Sequence, residues 1–155
     1  MYEGSADPDA FEHVADLLDH ILVYNGDIRT REDFVRLSHR LPFVERWMIG
    51  RGVLSDPFLP MTIKYGYDNV TRIDKITTIK KFHDDYYMER LDYLSGPAHI
   101  TDRMKSFWSY LAPSLEGGAG FFKKVKKVKV PEQYEMVVES FFESGTRWIG
   151  PLVTM

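Results

Sequence analysis

From Asp9 to His20 apolar residues return every three or four positions, so that Phe11, Val14, Leu17 and Leu18 share one face of an amphipathic helix predicted over residues 9–20. Ile21-Leu22-Val23-Tyr24 breaks that rhythm. It is a short, partly β-branched run closed by Asn25-Gly26-Asp27, which predicts a strand buried on both faces, as parallel strands are. Thr30 with Asp33 three residues on forms an N-terminal capping pattern, and Phe34, Leu37 and Leu41 give the next helix its inward stripe before Pro42 ends it. Trp47-Met48-Ile49 predicts a second buried strand, closed by Gly50-Arg51-Gly52. Ser55-Asp56-Pro57 then opens a short helix with proline in its first turn.

Beyond Gly66 the period is helical only. Val70, Ile73, Ile76, Ile79, Phe82, Tyr86 and Leu91 mark a long helix over residues 70–94, stopped by Ser95-Gly96-Pro97. Met104, Phe107, Trp108 and Leu111 mark a second, ending near Pro113. Phe121 to Val130 forms a short basic third, and Tyr134, Val137, Val138, Phe141 and Phe142 a fourth introduced by Pro131. Gly117-Gly118-Ala119-Gly120 has the composition of a flexible loop. The chain is thus α/β over residues 1–66 and all-α over residues 67–155. Strands alternating with helices imply parallel crossover units, but two parallel strands cannot cover their own edges, so the first part is incomplete as a sheet.

Composition narrows the chemistry. With 44% hydrophobic and 28% charged residues the chain is of globular type, and its longest apolar runs fall far short of the roughly 20 residues a membrane helix needs. Residues 1–10 hold Glu3, Asp7 and Asp9 and no Lys or Arg, the reverse of a secretory signal, so the expected location is the cytoplasm, with no membrane partner. The absence of cysteine excludes disulfides, thiolate metal sites and cysteine nucleophiles within this sequence. The five histidines are scattered without carboxylates at ligand spacing; only His83 adjoins Asp84 and Asp85, and no metal site is expected. The net charge of −3 is unevenly spread, with residues 1–66 acidic and most Lys and Arg beyond them.

Two features carry candidate chemistry. The turns Asn25-Gly26-Asp27 and Gly50-Arg51-Gly52 each follow a strand and precede a helix, where backbone N–H groups, a helix N-terminus and Arg51 can receive an anion. Ordinary strand-to-helix turns would look the same. The second feature is Phe121-Phe122-Lys123-Lys124-Val125-Lys126-Lys127-Val128-Lys129, in which the phenylalanines and valines form one helical face and Lys123, Lys124, Lys126, Lys127 and Lys129 spread over the rest. Such a surface suits a phosphate backbone, although a merely solvated helix face has the same pattern. The aromatic residues Tyr86, Tyr87, Tyr93, Phe107, Trp108 and Tyr110 recur at core spacing rather than as a base-stacking platform, and Asp84, Asp85 and Glu89 read as an exposed acidic face.

In wording and spacing Tyr2-Glu3-Gly4-Ser5-Ala6-Asp7, Tyr24-Asn25-Gly26-Asp27-Ile28 and Met48-Ile49-Gly50-Arg51-Gly52-Val53-Leu54-Ser55-Asp56-Pro57 resemble the tRNA-dihydrouridine synthase family over residues 2–57. The resemblance implies the last βα units of a TIM (βα)8 barrel followed by a helical bundle that grips tRNA. It implies that Asn25, Gly26 and Asp27 hold the FMN phosphate from one side and Gly50 and Arg51 from the other, with NADPH as the reductant. Met104-Lys105-Ser106-Phe107-Trp108-Ser109-Tyr110 is more loosely similar to the family's RNA-binding domain and adds Lys105 to the candidate RNA contacts. The family's catalytic cysteine and its flavin-contacting lysine and histidine belong to segments with no counterpart here. The expectation is therefore a chain without synthase activity alone, whose partners are tRNA and the missing N-terminal barrel half. Self-association through exposed barrel edges is also expected. A stand-alone RNA-binding remnant, or part of another FMN-dependent barrel oxidoreductase related to dihydroorotate dehydrogenase, remains open.

Overall fold

The computed structural model describes residues 6–66, 74–94 and 96–151, and divides the chain into two compact units, Met1–Tyr67 and Asp68–Met155. The first unit runs α1 (Pro8–Ala15), β1 (Val23–Tyr24), α2 (Arg31–Arg40), β2 (Arg46–Trp47), α3 (Arg51–Ser55) and α4 (Leu59–Tyr65). The second runs α5 (Lys75–Tyr93), α6 (Pro97–Leu111), a 3₁₀ turn (Ala112–Ser114), α7 (Gly118–Val125) and α8 (Pro131–Glu143). Mostly helical, the described part of the chain has one sheet, of two parallel strands.

In the first unit local chemistry sets the helix starts. Asp7 caps α1, its Oδ1 accepting the Asp9 and Ala10 N–H groups at 2.9 and 3.2 Å. Thr30 and Asp33 form the predicted capping box at α2, the Thr30 Oγ1 accepting from Asp33 N at 3.1 Å and Asp33 Oδ2 accepting from Thr30 N at 3.0 Å. Burial works against the Asp33 charge, but the Arg29 and Thr30 N–H groups, the Thr30 hydroxyl and Arg36 outweigh it and hold the carboxyl below its ordinary range.

Three departures from the predicted elements have physical causes. Helix α1 stops at Ala15 and not His20: Leu17 and Leu18 N–H bond three residues back instead of four, and of the predicted face only Phe11 packs on the core, Val14, Leu17 and Leu18 being exposed. The strands pair as Val23↔Arg46 and Tyr24↔Trp47, with Met48 N–H continuing the ladder to Tyr24 O at 2.9 Å, so the second strand lies earlier than Trp47–Ile49. Nor are they covered on both faces. Tyr24 packs with Ile28, Leu37, Leu41 and Val44 in the core, whereas Ile21 is 70% exposed and Val23 and Met48 are exposed too. Finally, Gly50 caps a helical turn that already contains Arg51 and Gly52, which the sequence pattern had read as a turn before a helix at Ser55.

In the second unit α5 begins at Asp74, whose Oδ1 accepts Thr77 N–H at 3.1 Å. Of the predicted stripe Val70 and Ile73 lie outside the described residues, and the stripe itself is shifted: Ile79, His83 and Tyr87, at i, i+4 and i+8, are the buried positions, while Phe82 is exposed. Trp108 and Met104 of α6, Phe121 and Val125 of α7, and Tyr134, Val138 and Phe141 of α8 are buried. Phe121 stacks on Phe141 with centroids 4.0 Å apart and meets the edge of Trp108 at 4.8 Å. The stretch expected to be a flexible glycine loop is instead the start of α7: Gly117 takes φ 74° as its cap, and Gly118 lies so near the Ala112 carbonyl that any Cβ would overlap it. Strand-like pairing of Leu115 with Trp148, Glu116 N–H to Arg147 O at 2.8 Å and a two-bond Arg147–Glu116 ion pair tie down the segment after α8.

Candidate functional site

The parallel pairing of β1 and β2 brings the two glycine-containing segments side by side. Asp27 joins them: its Oδ1 accepts from Arg51 Nη2 at 2.9 Å, while its Oδ2 accepts the N–H of Ala6 at 2.9 Å. Arg29, which sequence reasoning passed over, brings a second guanidinium to 3.9 Å from the same Oδ1. Each arginine side chain is about half exposed, and a guanidinium carries five N–H donors, more than its contact with Asp27 uses. Beneath the first turn the buried Tyr24 ring fills the space a Cβ on Gly26 would need. Burial first, then the Asp27 charge, raise the Tyr24 phenol above its usual range. Around Gly50 the surface is open, with nothing within 4 Å of a Cβ position. Gly52 is different: its Cβ would strike the Ile28 carbonyl, so glycine here lets α3 approach the first turn. Asn25 is exposed at the rim.

The lysines lie in the second unit. Lys123 and Lys124 form the last turn of α7 and Lys126, Lys127 and Lys129 follow it; all five are exposed, over Val125 and Val128, which are buried, and Phe122, which is half-buried. Among the described residues none of the five has a carboxylate within salt-bridge distance. Lys105 differs, being half-buried and paired with Asp102 at 3.1 Å. Lys124 and Lys127 share an open groove of about 410 Å³ with Val128 and, from α8, Gln133, Met136, Val137 and Ser140. The predicted acidic face is spoken for: Asp84 pairs with Lys80 at 2.8 Å, Asp85 with Lys81 at 2.7 Å and Glu89 with Arg90 at 2.8 Å.

His83 is the polar residue whose place the sequence pattern concealed. It is 3% exposed, with Nε2 2.6 Å from the Tyr134 hydroxyl and Nδ1 2.9 Å from Asp84 Oδ1. Trp108 Nε1 donates to the same hydroxyl at 2.8 Å. An ionised carboxylate only accepts, so the His83 proton sits on Nδ1, directed at Asp84. With the ring neutral, Nε2 then accepts from the Tyr134 hydroxyl, whose oxygen accepts from the indole. Burial lowers the His83 pKa against the opposing pull of Asp84, consistent with a neutral ring. This relay holds α5, α6 and α8 together. Among the described residues no cluster of three or more His, Asp or Glu is arranged for a metal ion, and no helix is long and apolar enough to cross a membrane.

Fold and site together describe a two-unit chain. One unit joins two strand-to-helix turns through a carboxylate–guanidinium pair, and the other is a helical unit carrying five lysines without a carboxylate partner among the described residues. Compared with curated proteins, it is similar to the tRNA-dihydrouridine(16) synthase of Cupriavidus necator, with 26% identity over 145 residues covering 94% of this chain and 44% of that protein. The similarity runs through both units, and the chain spans less than half the length of that relative. No family model matches.

Proposed function

We propose that this chain is the flavin-phosphate and RNA-gripping portion of a tRNA-dihydrouridine synthase, acting in the cytoplasm on tRNA together with the remainder of the barrel. The observation that carries this reading is similarity to such an enzyme over nearly the whole chain, joined to an Asp27–Arg51 pair across the two turns. The donor set fits a phosphate monoester: Arg51 and Arg29 offer further N–H groups, and the open surface at Gly50 allows an anion to reach the backbone. In this reading Gly50, Arg51, Asn25 and Gly26 touch the ribityl phosphate. Asp27, an anion itself, contributes by aiming Arg51. FMN, reduced by NADPH, would supply the hydride chemistry. This chain's residues bind and orient, and nothing in it takes the place of the family's protonating cysteine.

The exposed apolar residues of the first unit support the need for a complement. Val14, Leu17, Ile21, Val23, Met48 and Leu54 are exposed, and among the described residues the two strands have no further neighbour on either edge. A parallel sheet is stable when its faces and edges are covered, so the remaining barrel strands are the fitting partner, and self-association is the alternative when they are absent. The lysines of the second unit would grip the tRNA backbone, with Lys105 beside Asp102 contributing less than the other five.

The test is reconstitution. The chain is mixed with a second polypeptide corresponding to the 56% of the relative that it does not match, and FMN retention and NADPH-dependent uridine reduction in tRNA are measured. Activity and FMN binding in the mixture, absent from either part alone and with FMN affinity lowered by Arg51→Ala, is the expected result. A mixture that retains no FMN while the chain still binds tRNA would favour an RNA-binding module without catalysis, a reading that the five exposed lysines support by themselves.

A further inference from the structure

The groove between the end of α7 and the face of α8 is lined by unlike side chains: Lys124 and Lys127 are cationic, Val128, Val137 and Met136 apolar, and Gln133 and Ser140 polar and uncharged. A phosphate backbone alone would require the lysines and make no use of the apolar residues. Met136 is 63% exposed, an open position for a large apolar side chain that the fold does not require there. A thioether is soft and polarizable and packs well against an aromatic face. The Gln133 amide carries both a donor and an acceptor, as base edges do.

Resting on the reading that the second unit binds RNA, we propose that this groove holds one unpaired nucleotide of the RNA. Lys124 and Lys127 take its phosphates, the base lies over Met136 and Val137, and Gln133 meets the base edge. Unpaired nucleotides are the parts of RNA whose bases can be splayed onto a protein surface, whereas the edges of a paired helix are mostly out of reach. The second unit then distinguishes a bulge or loop from a plain duplex, beyond supplying positive charge.

The experiment uses the full chain and two probes: a fully paired RNA duplex, and the same duplex carrying a single unpaired adenosine. Wild type is expected to bind the bulged probe roughly three- to tenfold more tightly, the range a sulfur–aromatic contact provides. Met136→Ser and Gln133→Ala, both at exposed positions, should erase that preference and leave duplex affinity unchanged. The double variant Lys124→Ala/Lys127→Ala should weaken both probes and lower the slope of log affinity against log salt by about 1.4–1.8. Equal wild-type binding of the two probes, or a preference that survives Met136→Ser, overturns the nucleotide groove but leaves the phosphate-gripping reading intact. Failure to bind either probe sinks both. An acidic amphipathic peptide that binds in preference to either RNA, and is lost with Met136→Ser, would assign the groove to a protein partner and overturn the proposal.

Discussion

Removing one oxygen atom, by Tyr134→Phe, tests the buried relay. The ring stays, so no cavity opens, but the hydroxyl serves two groups: it accepts from Trp108 Nε1, on a residue 0% exposed, and donates to His83 Nε2 on a residue 3% exposed. Neither group can turn to water. Each buried polar group left without a partner costs about 1–3 kcal/mol, so the variant should lose about 2–6 kcal/mol, more than the roughly 1 kcal/mol of an ordinary hydrogen bond. For a unit of this size each kcal/mol corresponds to roughly 4–8 °C in Tm. Native-state hydrogen exchange of α5, α6 and α8 amides isolates the second unit from the first. His83→Leu in the Tyr134→Phe background should cost less than the sum of the two single changes, because the histidine has then lost its partner already. A loss below about 1 kcal/mol, or strict additivity, would refute the claim that one hydroxyl satisfies both groups.

Other substitutions probe the close approaches and the titrating group. Gly118→Ala should destabilise the second unit by about 1–3 kcal/mol in urea unfolding, although helix propensity alone favours alanine by up to about 1 kcal/mol, because the new methyl meets the Ala112 carbonyl. A neutral or stabilising result would mean the two segments are not in contact. Gly52→Ala should push α3 away from Ile28 and break the Asp27–Arg51 pair, seen as faster exchange of the Ile28 amide, whereas Gly50→Ala, at an open position, should not. His83 is neutral when folded and its pKa is lowered, so the unfolded chain binds the extra proton. Stability of the second unit is then complete above about pH 6.5 and declines as the pH falls below it. The groups facing His83 are Asp84 and Tyr134, with Lys80 beside Asp84. For Asp84 burial raises the pKa but the bonds from Lys80 and His83 outweigh it, so its contribution is lost in a separate, more acidic window below about pH 4. His83→Gln should abolish the decline between pH 7 and 5, and a decline that persists in that variant belongs to another group.

Legibility in the sequence followed the range of the interaction. The capping box at Thr30, the proline start of α8, and the parallel pair of short strands were readable because each depends on a few neighbouring residues or on a simple period. The lysine run and its apolar underside were readable for the same reason. The buried face of α5 was not. Its inward line passes through Ile79, His83 and Tyr87, two of them polar, and a hydropathy pattern gives no credit to a histidine and a tyrosine whose hydrogen bonds are completed by residues about fifty positions away. The helical start at Gly118 was likewise concealed, because what excludes a side chain there is the carbonyl of Ala112. In the site, the chain itself named Asp27 and Arg51 as candidates. Only the tertiary structure drew them to 2.9 Å, added Arg29, and turned Gly52 from a turn residue into a contact. Local sequence determines which backbone conformations and surface charges are available; which groups meet is decided by packing between distant segments, since hydrogen bonds and steric exclusion act over a few ångströms of space however far apart the residues lie along the chain.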